Sequence, residues 1–143
     1  MRDDGAVDDS EARQRLAEAR VARLATVGGD GAPHVVPVVF ALVGDVVYTA
    51  VDHKPKTTTR LRRLDNVMAT GRASLLVDRY GEDWSTLWWV RADGTAIVSA
   101  ADSPDAAHGV DALVEKYPQY AQCRPAGPVI AVTVSRWRAW SGS

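Results

Sequence analysis

Cationic side chains are concentrated in one short stretch of the sequence. Five of the chain's 17 lysine and arginine residues lie between positions 53 and 63, with no acidic residue among them. They are Lys54, Lys56, Arg60, Arg62 and Arg63. Thr57 begins a run of three threonines at the predicted start of a helix, where free backbone N–H groups, hydroxyls and ammonium groups come together. This combination is typical of a phosphate-binding site.

A solvated helix face that follows a loop has the same composition, and the residues alone leave both interpretations open. If an anion binds, we expect the cations nearest the helix start to contribute most. Lys56 immediately precedes the predicted helix from Thr57 to Asp65. Arg63 lies about two turns further along, where the field of the helix dipole has decayed. Lys56 is therefore expected to contribute more to anion binding than Arg63.

The five tryptophans suggest a second kind of site. Trp88 and Trp89 are adjacent in a predicted strand, so their rings lie on opposite sides of it. One interpretation is core packing on one face and a dimer interface on the other. The alternative is that one ring borders a planar cofactor, since aromatic side chains bind flat π systems well. Trp137 and Trp140 allow the same two interpretations.

No side chain is identified as catalytic. The three histidines have no metal-ligand spacing, so no metal site is predicted, and no nucleophile elbow, Walker loop or dinucleotide fingerprint occurs. The single cysteine, Cys123, excludes an intrachain disulfide and suits a reducing compartment. Any redox chemistry would therefore come from a bound cofactor.

Length and charge restrict the class of protein. A chain of 143 residues is predicted to form one domain over residues 1–143, with residues 1–9 as a flexible acidic tail. The net charge of −1 gives no overall footprint for nucleic acid. The longest apolar run, Val35 to Val43, is too short to span a membrane and contains Pro37. We expect a cytoplasmic protein that binds neither nucleic acid nor membrane.

The predicted elements are mostly strands joined by short turns, which indicates antiparallel pairing. Strands are expected at 21–27, 34–43, 46–51, 68–78, 87–100 and 129–140, and helices at 10–19, 57–65 and from Ser103 onward. Ser10 and Ser103 are the expected helix caps, and a bend is expected near Asp93 and Gly94. Six or so antiparallel strands in a chain this small favour a barrel.

The second strand, His34 to Val43, is apolar on both faces. A strand with one face in water would alternate apolar with polar residues. Both faces must therefore be covered, which predicts a homodimer.

With these residues in view, the chain resembles the pyridoxamine 5′-phosphate oxidase-like superfamily, and most closely the branch that uses the deazaflavin coenzyme F-420. The resemblance extends from Ser10 to Trp140. It is carried by the segments 20–26, 33–40, 54–57, 74–78 and 138–140, whose sequences are RVARLAT, PHVVPVVF, KPKT, SLLVD and RAW.

The resemblance implies an α+β, mainly β fold: an antiparallel split β-barrel of six to seven strands with short flanking helices, working as a homodimer. The cofactor would lie between the subunits. Lys54, Lys56 and Thr57 would hold its phosphate. The backbone of Val36, Pro37, Val38 and Val39 would border its ring, and Trp88 or Trp140 of the other subunit would close the pocket.

The implied function is a cofactor-dependent oxidoreductase that transfers a hydride from reduced F-420 to a small unsaturated or aromatic substrate. The alternatives are an FMN-dependent oxidoreductase or a non-catalytic protein that binds flavin, deazaflavin or haem. The second strand contains no arginine or lysine, unlike that of the classical FMN-dependent oxidases. This difference disfavours pyridoxamine phosphate oxidation and favours F-420 over FMN.

Overall fold

Seven strands and four helices make up the part of the chain that the computed structural model describes, residues 7–51 and 61–142. The strands are β1 (Ala22–Val27), β2 (Pro33–Val38), β3 (Ala41–Val43), β4 (Val46–Ala50), β5 (Arg72–Arg79), β6 (Trp88–Ser99) and β7 (Val129–Ser141). The helices are α1 (Asp9–Glu18), α2 (Arg62–Thr70), α3 (Pro104–Lys116) and α4 (Pro118–Gln122), with a 3₁₀ turn at Trp84–Thr86.

All seven strands belong to one antiparallel sheet in the order β2-β1-β5-β6-β7-β4-β3. The sheet curls around a core whose central side chains, including Leu24, Leu75 and Val90, are fully buried. Leu16 of α1 and Val67 of α2 join this core. The predicted split β-barrel is confirmed.

Helix α3 packs on the opposite, outer face of the sheet, but only over β3, β4 and the start of β7. Its Val110 and Leu113 form a second apolar cluster with Ala41, Ala50 and Val129. The predicted start of this helix is confirmed: Ser103 caps it by accepting a hydrogen bond from the backbone N–H of Ala106. None of the helices in residues 7–51 and 61–142 is both long and apolar enough to cross a membrane.

Helix α1 was predicted correctly, but its cap was not. The helix begins at Asp9, and Asp8 rather than Ser10 accepts the capping hydrogen bond, from the backbone N–H of Glu11 at 2.9 Å. An aspartate cap also places a negative charge at the positive end of the helix dipole.

The helix predicted at 57–65 lies further along the chain. Leu61 is extended, with φ −112° and ψ 139°, and α2 runs from Arg62 to Thr70. The prediction that residue 68 begins a strand is therefore wrong, since Met68 is helical. Gly71 ends the helix with a left-handed φ of 67°, a conformation that glycine adopts without strain, and β5 starts immediately after it.

The single strand predicted at 34–43 is interrupted. β2 ends at Val38 and β3 begins at Ala41, so Val39 and Phe40 form the break. The Tyr117 hydroxyl satisfies the backbone there: it accepts from the Phe40 N–H at 3.1 Å and lies 2.9 Å from the Phe40 carbonyl oxygen. It is also 3.0 Å from the Arg20 carbonyl oxygen.

The bend predicted near Asp93 and Gly94 is a β-bulge, where the pairing of β6 with β7 shifts register. Glycine is required at the bulge because a Cβ on Gly94 would lie 2.1 Å from the Thr133 carbonyl oxygen. The bulge bends the longest antiparallel strand pair of the sheet, β6 with β7, and so helps to curl the sheet.

We predict that Tyr117→Phe lowers the stability of the fold. The change leaves the buried N–H and C=O of Phe40 without their partner, at a cost of about 1–3 kcal/mol, or a fall in Tm of about 3–10 °C. Thermal unfolding followed by circular dichroism measures it. Tyr80→Phe is the matched control, because Tyr80 is 67% exposed and should leave Tm unchanged. Equal Tm for the two variants would contradict the role given to the Tyr117 hydroxyl.

Candidate functional site

A cavity of about 240 Å³ lies where β2 ends, beside β4, α2 and α4. We call it the strand-edge cavity. It is lined by Val21, Pro37, Val38, Val39, Thr49, Ala50, Arg63 and Tyr120. Three of the four residues predicted to border a cofactor ring, Pro37, Val38 and Val39, are thus brought together in its wall. The fourth, Val36, is not among the lining residues and packs against the core.

The backbone of the cavity wall is partly held by the chain and partly open. The Thr49 hydroxyl donates to the Val39 carbonyl oxygen at 2.8 Å, which fixes the end of β2 against β4. β2 is the edge strand of the sheet and pairs only with β1 in the described chain. One row of its backbone N–H and C=O groups therefore has no strand partner and is available to a ligand.

Arg63 supplies the cationic group of the cavity. It is the second residue of α2, and the N-cap residue Leu61 contributes no side-chain hydrogen bond. The positive end of the helix dipole is consequently close to Arg63, where both favour an anion. The argument that Arg63 lies far from the helix start was wrong, because the helix begins at Arg62 and not at Thr57.

The predicted phosphate-binding residues Lys54, Lys56 and Thr57 lie outside the described residues. The described chain stops at Val51 and resumes at Leu61. Val51 directly follows Ala50 in the sequence, and Leu61 is two residues before Arg63. Ala50 and Arg63 both line the strand-edge cavity.

Trp88 and Trp140 are predicted to close the pocket from the other subunit. Neither lines the strand-edge cavity of its own chain. Trp88 packs against the core below the guanidinium of Arg15, which is 5.0 Å from the ring centroid. Trp140 lies opposite Trp89 in the pairing of β6 with β7. Trp88 and Trp89 do face opposite sides of the sheet, as their adjacency in a strand requires.

Sequence reasoning missed four residues of the cavity: Val21, Thr49, Ala50 and Tyr120. Tyr120 comes from α4, a helix that was not predicted. Pro118 at its first position was the available signal, since proline is favoured there. No local signal marks Thr49, because its role depends on the carbonyl of Val39 ten residues earlier.

Lys116, the last residue of α3, hydrogen-bonds the segment between α1 and β1, which leads to the cavity. Its ammonium group donates to the Ala19 carbonyl oxygen at 2.7 Å and lies 3.9 Å from the centroid of the Phe40 ring. Burial, with a smaller contribution from the charge of Arg20, lowers the pKa of Lys116 to about 8. Burial likewise raises the pKa of Tyr117, which keeps its hydroxyl protonated and able to donate.

The chemical groups of the cavity suit binding more than catalysis. Among the lining residues of the described chain there is no carboxylate, imidazole or thiol; the polar groups are the backbone of β2, Arg63, Thr49 and Tyr120. Such a wall can hold the edge of a flat polar ring and an anion beside it.

The sequence model of the family described as pyridoxamine 5′-phosphate oxidase matches residues 8–141. The match spans nearly the whole chain, so the protein belongs to this family. A search of curated proteins by sequence finds no match.

Solved structures share the fold. A conserved hypothetical protein from Mycobacterium tuberculosis is 22% identical, with a TM-score of 0.78 over 99% of this chain and 89% of that one. An FAD-binding protein from Mesorhizobium loti is 21% identical, with a TM-score of 0.70 over 94% of each chain. The heme storage protein HutZ from Vibrio cholerae is 14% identical, with a TM-score of 0.71 over 93% of each chain. At these identities the likeness concerns the fold.

The lowered pKa of Lys116 predicts a pH dependence of stability. Between about pH 8 and the ordinary value of 10.5, the unfolded chain holds a proton that the folded chain has released, so raising the pH favours folding. Relative to Lys116→Met, the wild-type free energy of unfolding should be flat below pH 8 and rise by about 1 kcal/mol by pH 10, since half-exposed groups are screened. Urea unfolding at several pH values measures this difference. A difference that falls with pH would contradict it.

Proposed function

We propose that the protein is a cofactor-dependent oxidoreductase that transfers a hydride from reduced coenzyme F-420 to a small unsaturated or aromatic substrate. The observation that carries the proposal is the strand-edge cavity. There the edge strand β2, at Pro37 and Val38, lies beside Arg63, and the wall residues Ala50 and Arg63 are close in sequence to Lys54 and Lys56.

The ring of the cofactor would lie against β2. The unpaired backbone groups of its edge can hydrogen-bond the polar rim of a flat ring, while Val38 and Val39 provide apolar contact. The cavity of about 240 Å³ is smaller than the roughly 300–1,000 Å³ of small-molecule sites. Part of the binding surface must therefore be added by residues beyond those described or by a second subunit, and a site shared between two subunits would provide it.

The phosphate of the cofactor would be held by Lys54, Lys56 and Thr57, as the resemblance implies, together with Arg63. Ammonium and guanidinium groups bind phosphate through charge-assisted hydrogen bonds, and the start of α2 adds its dipole. When bound in its reduced form, F-420 supplies the hydride. The chain's own residues would bind and orient the ring, and their apolar surface would exclude water.

The absence of basic residues from β2 supports F-420 over FMN. Between Pro33 and Val38 there is no lysine or arginine, and Arg63 is the cationic residue among those that line the cavity in the described chain.

A non-catalytic binding protein is the second candidate. It is favoured by the lack of an acidic or basic catalyst among the lining residues that the structure describes. An FAD-binding protein and a heme storage protein share the fold. Stopped-flow mixing of the reduced cofactor with electron acceptors separates the two functions, because only an oxidoreductase speeds reoxidation of the cofactor as acceptor is added.

The second subunit would pack on the outer face of β2, β1, β5 and β6, which no helix of the described chain covers. Val35, Ala25, Ser74 and Asp93 lie in one row across these four strands. Val35 is 61% exposed, and β2 also leaves Pro33 and Pro37 exposed. This exposed apolar side is the face that the sequence predicted must be covered.

The carboxylate at the centre of the same face is already paired within the chain. Asp93 accepts hydrogen bonds from Arg91 at 2.8 Å and from Ser74 at 2.7 Å. Burial raises the pKa of Asp93, but these hydrogen bonds outweigh it and hold the pKa below its ordinary value. A paired carboxylate of this kind can be enclosed in an interface at a lower cost than a lone one.

We predict a homodimer that Val35→Glu dissociates. A dimer of this type buries on the order of 2,000 Å². The substitution places an unpaired charge in that surface once per subunit and should weaken association by about a hundredfold or more. Sedimentation equilibrium at micromolar concentration measures it. Met68→Glu, on the exposed side of α2, is the control and should leave the dimer intact. A folded wild-type monomer under these conditions would refute the proposed dimer.

We also predict that Arg63→Gln weakens F-420 binding by about ten- to a hundredfold, since a charge-assisted contact contributes roughly 1.5–3 kcal/mol. Lys56→Ala should have a similar effect. Arg62→Gln is the control: Arg62 is adjacent but exposed and does not line the cavity, so its effect should be under about twofold.

Equilibrium titration with tryptophan fluorescence as the readout compares these variants and compares F-420 with FMN. F-420 should bind more tightly. Stoichiometric FMN retained by protein made in a host without deazaflavin would show that the cofactor assignment is wrong. Unchanged affinity in both Arg63→Gln and Lys56→Ala would show that the cationic stretch is a solvated surface.

A further inference from the structure

A second cavity, of about 720 Å³, lies at the end of the sheet where β1 begins and β5 ends. We call it the arginine cleft. Its walls come from α1, the segment before β1, the end of β5 and the first residue of β6. It is lined by Arg15, Glu18, Ala19, Arg20, Val21, Arg23, Asp78, Arg79, Tyr80 and Trp88.

Positive charge predominates in the arginine cleft, with four arginines against two carboxylates. Two of the arginines are engaged in the fold. Arg15 pairs with Glu11 at 2.9 Å, and Arg20 donates to the Lys116 carbonyl oxygen at 3.0 Å. The guanidinium groups of Arg23 and Arg79 make no direct hydrogen bond or ion pair with any residue that the structure describes, although Arg79 interacts electrostatically with the Asp83 carboxylate.

Arg15 adds an unsatisfied donor. Its Nη1 is buried and has no hydrogen-bond partner in the described chain, although Nη2 is bonded to Glu11 and the guanidinium plane lies over Trp88. A buried donor without an acceptor costs about 1–3 kcal/mol, more when charged. Because this nitrogen is not exposed to the cleft, Arg15 contributes its positive charge to the site and no free donor.

The arginine cleft adjoins the strand-edge cavity. Val21 lines both. In the pairing of β1 with β2, Arg23 of the cleft lies directly opposite Pro37 of the cavity. A molecule bound in one cavity can therefore extend past Val21 into the other.

We propose that the arginine cleft is a second anion-binding site, which takes a carboxylate or phosphate group through Arg23 and Arg79, with the positive charges of Arg15 and Arg20 beside them. Trp88 and Tyr80 give it aromatic walls beside these cations. The anion is either a charged end of the same molecule that occupies the strand-edge cavity or part of a separate acidic substrate. The site itself does not depend on the identity of the cofactor.

Citrate serves as the probe, because its carboxylates can bridge two guanidinium groups. Calorimetric titration at low ionic strength should show saturable binding to the wild-type protein. The double variant Arg23→Gln/Arg79→Gln should weaken binding by about tenfold or more, since each partly exposed contact contributes about three- to tenfold. Added salt should also weaken it. Both side chains are exposed, so circular dichroism and Tm should match the wild type.

Arg124→Gln is the matched control. It removes one positive charge, against two in the double variant, at an exposed residue that pairs with Asp111, away from the cleft, and should bind citrate like the wild type. Equal citrate affinity in the wild type and the double variant would overturn the proposal, as would an equal loss in Arg124→Gln.

Titration of the same proteins with F-420 identifies the source of the anion. Weaker F-420 binding in the double variant would show that the cleft holds a charged end of the cofactor. Unchanged F-420 binding together with weaker citrate binding would show that it holds a separate acidic molecule. If F-420 does not bind at all, the proposed function fails while the citrate comparison still decides the anion site.

Discussion

The hydroxyl of Tyr117 satisfies the backbone at the point where the barrel is split. β2 and β3 follow one another in sequence but lie at opposite edges of the seven-stranded sheet, so the chain passes from one edge to the other through Val39 and Phe40. Neither residue pairs in the sheet, and Phe40 is fully buried. Buried backbone groups outside a sheet need another partner. Tyr117 provides it from 77 residues away, and the strand-edge cavity lies against the same two-residue break.

Elements with local signals could be predicted from the sequence, whereas those set by distant contacts could not. Ser103 followed by Pro104 fixes the start of α3, and Asp93 with Gly94 marks the bulge, because the determining atoms are neighbours in the chain. The break after Val38 has no such mark, since the nine apolar residues in a row predict one continuous strand. The break depends on the side chain of Tyr117, the C-terminal cap residue of α3, which bonds the backbone of Phe40.

The position of α2 shows a different limit. Leu61, Leu64, Val67 and Met68 are compatible with a helix, but a short apolar run at Met68 is equally compatible with a strand. Gly71 decides between them by ending the helix in a left-handed conformation. The consequence reaches the candidate site, because a helix that begins at Arg62 places Arg63 beside the helix start, where it is expected to contribute to anion binding as much as Lys56. The resemblance indicated residues 37–39 as part of the candidate site. It could not indicate Thr49 and Tyr120, because tertiary packing brings these two residues into the same cavity wall.

In the proposed arrangement, cofactor binding and subunit association are coupled. The described residues of one chain form a small cavity beside an apolar strand edge, and the same strand carries the exposed face on which a partner would pack. A ligand held by both subunits binds the dimer and not the monomer, so it stabilises the dimer by RT ln(1 + [L]/Kd). At a ligand concentration one hundred times Kd, this is about 2.7 kcal/mol per site. The exposed proline and valine side chains of β2 are then part of the dimer surface. They become buried only when the second subunit completes the binding site.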